Sequence, residues 1–182
     1  MAIHVMFDIE TLGVSSGCAV LQIGAVQFDE GFNILKTIRL NINPKDSAKE
    51  GFFADQGTIE WWKNQSEEAR KSVSVDSKPI LSALKEFSDW IPKGAIGWCH
   101  NNFDAPILEF AFKKMRVMLP FAYTNICDLR TMQKLANLDT KSAQKIIQRI
   151  GTHHDALDDS IFQMKVLREC FERLGLKLSS IK

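Results

Sequence analysis

Four carboxylates and one histidine stand where solvated surface charge is not expected. Asp8 and Glu10 lie two residues apart in an apolar run, with Phe7 and Ile9 around them. In an extended strand, residues i and i+2 share a face, so both carboxylates point the same way. Burying unpaired carboxylates is costly, and something positive must compensate them. A D-x-E pair is common by chance, and its weight here comes from the apolar setting.

Asp104 precedes a helix predicted over 105–116, with Pro106 just inside its start. It reads equally well as an ordinary N-cap and as a functional group. At 100° per residue, Leu108, Ala111 and Met115 fall within about 40° of it, which places the carboxylate over the apolar face. In a helix predicted over 156–174, Leu157, Ile161, Met164, Leu167, Phe171 and Leu174 form an apolar stripe. Asp158 falls on the far side with Lys165, Glu169 and Glu172, and reads as structural, completing a capping box with Asp155. Asp159 falls at the stripe's edge beside Val166 and Cys170, and reads as functional. His154 stands five residues ahead of Asp159, and spacing alone does not separate it from His153.

The elements that must gather these residues follow from periodicity. Strands are predicted over 3–10, 19–28 and 34–42, the second apolar on both sides and therefore central, the third half-exposed. The turn signal Asp29-Glu30-Gly31 joins the last two, so the three form an antiparallel meander. Residues 43–57 read as an irregular loop. Helices are predicted over 58–64, 66–74 (with Ser66 as N-cap before Glu67 and Glu68) and 79–91, then a short buried strand over 95–99. Further helices are predicted over 128–136 and 142–150. No repeat, long linker or low-complexity tract interrupts the chain, and residues 1–182 read as a single α/β domain.

The 23 basic and 22 acidic residues leave a net charge of +1, which argues against coating a nucleic acid or membrane by bulk electrostatics. No apolar run is long enough to span a bilayer, and the N-terminus lacks a secretory signal pattern, so a cytoplasmic protein is expected. Cys18, Cys99, Cys127 and Cys170 are scattered without a C-x-x-C pair and read as free buried thiols. The net charge hides an asymmetry. Residues 1–60 hold four basic against eight acidic residues, a net −4. Residues 113–149 hold eight basic residues against Asp128 and Asp139, a net +6. That segment reads either as a phosphate-tracking surface, as a solvated face, or as a seam for a second subunit.

Asp8-Ile9-Glu10-Thr11, then Phe103-Asp104, then His154-x4-Asp159 in the form HDALDD, resembles the three motifs of the DEDDh 3′→5′ exonucleases. Order, spacing and setting (strand end, helix start, helix start) agree together. The stretch TIEWWKNQS at 58–66, with Ala69-Arg70 and Asp128-Leu129-Arg130-Thr131, resembles the subgroup of phage exonuclease A and bacterial exoribonuclease-like domains. The resemblance runs from Ile3 to about Leu174. It implies a ribonuclease H-like mixed β-sheet, three antiparallel N-terminal strands and then parallel ones, flanked by helices. His100 and Asn101 depart from the pattern, in a turn where relatives often carry small residues.

The resemblance also implies a chemistry. Four carboxylates bring about −4 of formal charge together, which two hard cations, Mg2+ or Mn2+, would balance. Asp8 is expected to bridge both ions, with Glu10, Asp104 and Asp159 completing their shells. His154 is expected to take the proton of the attacking water, being mostly neutral at physiological pH with an unperturbed pKa of ~6.5. The expected substrate is the 3′ end of a single-stranded nucleic acid, released as 5′-mononucleotides. DNA is slightly favoured by TIEWWKNQS, with RNA 3′ overhangs as the alternative. Thr11, Leu12 (a wedge against the terminal base), Gln65, Phe103 and Arg130 are implied substrate contacts. Trp61 and Trp62 differ by about 100° around a helix, so one can anchor in the core while the other stacks on a base. A homodimer is expected, acting in a bacterial cytoplasm or, for a phage protein, in that of the host. A catalytically inactive nucleic-acid-binding module is a second reading, but a pure binder gains nothing from negative charge beside phosphates. A structural calcium-binding domain leaves His154 and the tryptophans unexplained.

Overall fold

The computed structural model describes residues 2–181. Its centre is a five-stranded sheet of order β3-β2-β1-β4-β5. Strand β1 (His4–Thr11) pairs antiparallel with β2 (Val20–Phe28), and β2 with β3 (Ile34–Asn41). On the other side of β1, β4 (Ile96–Cys99) and β5 (Ile126–Asp128) run parallel to it. The mixed sheet expected from the resemblance is therefore present. Parallel neighbours need a crossover. Helices α1 (Pro44–Lys49), α2 (Gln56–Lys63), α3 (Glu67–Ser72) and α4 (Ile80–Trp90) fill the first, and α5 (Asp104–Lys114) the second.

Strand β1 is buried on both faces, and its alternation divides the core. Val5, Phe7 and Ile9 join a cluster with Leu84 and Phe87 of α4 and Leu108 and Phe112 of α5. Met6 faces the other way, into a cluster with Phe162, Val166, Leu167 and Phe171 of α8 (Ala156–Leu174) and Leu129 of α6 (Leu129–Leu135). Asp8 and Glu10 continue that second face beyond Met6. Apolar packing on both sides thus carries two carboxylates into the middle of the molecule.

Helix α8 is seated on β2 by a close approach. A Cβ on Gly24 would lie 2.1 Å from the Ala156 carbonyl carbon and the Leu157 nitrogen, so only glycine admits the helix there. The Ser160 hydroxyl donates to the Gly24 carbonyl at 2.9 Å, and the Ala156 amide donates to the buried Gln22 side chain at 2.5 Å. Asp155 caps α8, accepting from the Leu157 and Asp158 amides, and is itself held by the Arg39 guanidinium at 2.8 Å. Only half of the expected capping box forms. The Asp158 carboxylate accepts from the Thr152 amide at 2.7 Å instead of from Asp155, because the chain before the helix folds back over it.

Three expectations fail for identifiable reasons. The predicted loop over 43–57 contains α1 and the start of α2, because Asn43 and Asp55 cap them through the Lys45 and Thr58 amides. Strand β5 has three residues, too few to show a period, and Asp128 at its end caps α6 rather than opening the helix. The helix predicted over 142–150 is α7 (Thr140–Ile146), started early by the Asp139 cap.

Candidate active site

The parallel strands and the start of α8 converge on one cleft of about 330 Å3. Asp8 and Glu10 enter it from β1, Asp104 from the first turn of α5, and Asp159 from the first turn of α8. All four are at least nine-tenths buried. Carboxylate oxygens of Asp8, Glu10 and Asp159 come within 4.8 Å of one another, and Asp8 and Asp104 meet His100 equally closely. Asp104 does not cap its own helix; its Oδ2 turns back to accept from the His100 amide at 2.8 Å.

The electrostatics record this crowding. Burial, then the charges of Asp104, Glu10 and Asp159, raise the Asp8 carboxyl well above the ordinary range, although Gln163 Nε2 donates to it at 2.6 Å. Burial and the neighbouring Asp159 push Glu10 up to about 8. Burial lifts Asp104 to about 7 against the opposing pull of the His100 amide and Arg130. Arg149 makes an ion pair with Asp159 Oδ1, and its guanidinium lies 4.3 Å from the Phe162 ring centroid. One arginine does not neutralise four carboxylates. The Gln163 Oε1 is also buried without a hydrogen-bond partner among the described residues. A surplus of hard oxygen donors with a deficit of positive charge fits divalent cations such as Mg2+ or Mn2+.

His154 stands over this cluster with a left-handed backbone, φ 64°, which a histidine rarely adopts. Its amide donates to Asp159 Oδ2 at 3.2 Å, and its Nδ1 lies 3.8 Å from Glu10 Oε1. Burial, then His153, lower its pKa and favour neutral imidazole. His153 also lines the cleft but is exposed, which separates the two histidines.

The two tryptophans take different roles. Trp62 is buried, and its indole donates to the Thr11 carbonyl at 2.8 Å. Trp61 is 42% exposed and meets the His154 ring edge-on at 4.8 Å. It also lines a second cavity of about 360 Å3 with Thr11, Asp55, Thr58 and Phe103, joined to the first through Glu10. Arg130 and Phe103 line the cleft itself. Leu12 packs inward against the clusters of α4 and Trp62 and lines neither cavity. Gln65 donates to the Trp61 carbonyl at 3.0 Å and stays outside both.

A family profile described as 3'-5' exoribonuclease Rv2179c-like domain matches residues 3–171. The chain belongs to that family. Its acidic quartet, Asp8, Glu10, Asp104 and Asp159, is consistent with the active site of such an exonuclease. Among curated proteins, the exodeoxyribonuclease of Enterobacteria phage T4 is 31% identical over 120 residues, covering 57% of this chain and 52% of the phage protein. Among solved structures, E. coli exonuclease I in complex with a dT13 oligonucleotide superposes with a TM-score of 0.74 at 16% identity, covering 96% of this chain and 42% of that one. S. pombe Pop2p in its Mg2+- and Mn2+-bound form gives 0.63 at 19% identity, covering 94% and 83%. The family member described here thus spans about half the length of its phage relative and less than half of exonuclease I. These likenesses place the fold among the DEDD exonucleases. Gln163 and Arg149 are parts of the cleft that sequence reading did not single out, whereas His100, noted there only as a departure from the family pattern, also lines it. Only Gln163 carried a signal, one helical turn beyond Asp159 on the same face.

Proposed function

We propose that this chain hydrolyses single-stranded nucleic acid from its 3′ end, releasing 5′-mononucleotides. The convergence of Asp8, Glu10, Asp104 and Asp159 beneath the neutral imidazole of His154 carries this reading. The quartet would hold two divalent cations, which supply positive charge where the phosphoryl transition state accumulates negative charge. Their charge there would offset the burial and repulsion that favour protonated Glu10 and Asp8. His154 takes the proton of the attacking water and is held in place by Trp61 and by the hydrogen bond its backbone N–H donates to the Asp159 carboxylate. Trp61, Phe103 and Thr11 frame the cavity beside Glu10, where the terminal base stacks.

We read DNA as the slightly preferred sugar type, supported by the identity to a phage exodeoxyribonuclease. RNA is the second reading, supported by the exoribonuclease description of the family. Residues 1–182 are read as one catalytic domain, acting in the cytoplasm as a homodimer; no helix among the described residues is long and apolar enough to cross a membrane. A 5′-labelled single strand incubated with Mg2+ should shorten one nucleotide at a time, and EDTA should stop it. Paired DNA and RNA strands of one sequence rank the sugars. Intact strands with Mg2+ and Mn2+ would refute the reading.

A further inference from the structure

The cleft does not end at the quartet. Arg130, Gln133 and Thr140 line it and also line a third cavity, of about 390 Å3, which shares no lining residue with the Trp61 cavity. Lys134, one turn beyond Arg130 on α6, faces that cavity, and Lys141 follows Thr140 at the junction on α7. None of Arg130, Lys134, Lys141 and Lys145 makes a salt bridge among the described residues. The two acidic groups of this stretch are helix caps, and Asp139 also lines the cavity beside Lys134. Asp128 accepts from the Thr131 and Asn101 amides, and Asp139 from the Ser142 amide. A face needed only for solubility intersperses both signs. Here basic groups outnumber the one carboxylate, Asp139, and Arg130 and Lys134 line a cavity continuous with the catalytic cleft.

We propose that the groove from Arg130 past Lys134 and Lys141 is a track for the phosphodiester strand on the 5′ side of the scissile bond. The proposal rests on the exonuclease reading of the cleft. It assigns a direction: the terminal base sits on the Trp61 side, and the rest of the strand leaves over α6 and α7. A one-nucleotide substrate therefore ignores this groove, and an oligonucleotide depends on it. The uneven charge of the chain acquires a use, since the basic helices hold the polymer that the acidic quartet alone would repel.

The test compares the full chain with its Lys134→Gln, Lys141→Gln double variant. Binding of 5′-fluorescein dT12 is followed by anisotropy in EDTA between 50 and 200 mM KCl. Each phosphate contact on a single strand contributes about −0.7 to the slope of log K against log salt, so losing two flattens the slope by about 1.4. Wild-type affinity should then fall roughly sevenfold further than that of the variant across this range. Turnover of thymidine 5′-p-nitrophenyl phosphate with Mn2+, a substrate with no strand beyond its leaving group, should change less than about twofold. Equal slopes overturn the track, as does an equal loss on both substrates. A variant that changes sedimenting mass but not slope assigns the face to a second copy and also overturns it. Wild-type protein that hydrolyses neither substrate, while the slopes differ as stated, overturns the exonuclease reading and with it the 5′-side assignment, whereas equal slopes with intact turnover overturn the track alone.

Discussion

Removing metal should make this protein less stable as the solution becomes more alkaline, in the pH range where most proteins change little. The perturbation is EDTA, and the group to follow is Glu10. Its carboxyl ionises near 4.5 when exposed but is pushed up to about 8 in the folded chain by burial and by Asp159. Between those values the folded state holds a proton that the unfolded state has lost, so stability falls as pH rises through the window. From pH 7 to 8.5 Glu10 alone removes about 1 kcal/mol, and Asp104, lifted to about 7, adds a few tenths. Asp8 is also raised and acts in the same direction. For a chain of this size each kcal/mol is worth about 2–4 °C, so the Tm in EDTA should fall by at least roughly 3–6 °C. Histidines do not mimic this. His4 and His100, lowered to about 4 by burial, take up protons on unfolding only below about pH 6.5, and there stability rises with pH. Mg2+ at a hundredfold excess over its Kd should add about 2.7 kcal/mol and flatten the slope. Glu10→Gln should flatten it without metal. Calorimetry at four pH values, with EDTA and with Mg2+, reads all of this. A Tm that is constant or rises from pH 7 to 8.5 in EDTA refutes the reasoning.

Other perturbations separate chemistry from architecture. His154→Ala should keep Mg2+ binding by calorimetry yet lose about 10²–10⁴-fold in turnover, and near-normal turnover would remove His154 from its role. Trp61→Ala should leave the Tm nearly unchanged and raise KM for a single strand by roughly 5–150-fold, the worth of one stacked base. Trp62→Ala should instead cost about 3–5 kcal/mol, since a buried ring and the bond to Thr11 are lost together; equal melting of the two variants contradicts the split. Gly24→Ala forces α8 away from β2 and should cost about 3 kcal/mol or more, read by urea denaturation. Arg39→Met leaves Asp155 buried without its cation and should cost about 1–3 kcal/mol, with kcat falling more than KM because His154 adjoins Asp155; unchanged melting would show that the pair holds nothing.

The legible parts of the site are those that depend on local period. Asp8 and Glu10 share a face because strands alternate, and Asp158 and Asp159 diverge because adjacent helical residues lie 100° apart. Both relations hold in the structure, where Asp159 enters the cleft and Asp158 turns to Thr152 and Arg39. What was not legible depends on contacts between distant segments. Arg149 and Gln163 meet the quartet only because α8 is seated on β2, and the left-handed turn at His154 leaves no compositional trace. The second tryptophan shows the same limit. Period says that Trp61 and Trp62 face differently, but only the Thr11 carbonyl decides which one is held inside. Leu12 illustrates the converse, since a position beside a motif says nothing about which way its side chain packs.

Four carboxylates at this distance repel one another, and a flexible scaffold would let them drift apart. The scaffold here is stiff at each point where one of them enters. Asp8 and Glu10 sit on the middle strand of the sheet, between two apolar cores. Asp159 rides on a helix fixed at its first turn by Gly24, Gln22, Ser160 and the Arg39–Asp155 pair. Asp104 is tied to the His100 amide. Repulsion therefore cannot relax by movement, and for Asp8 and Glu10 it adds to burial, the larger cause, in raising the carboxyl pKa. The same stored repulsion is what the proposed divalent cations would release on binding, so rigidity far from the cleft would set metal affinity within it. Substitutions at Gly24 or Arg39, which touch neither metal nor substrate, should consequently weaken Mg2+ binding in proportion to how far they let α8 move.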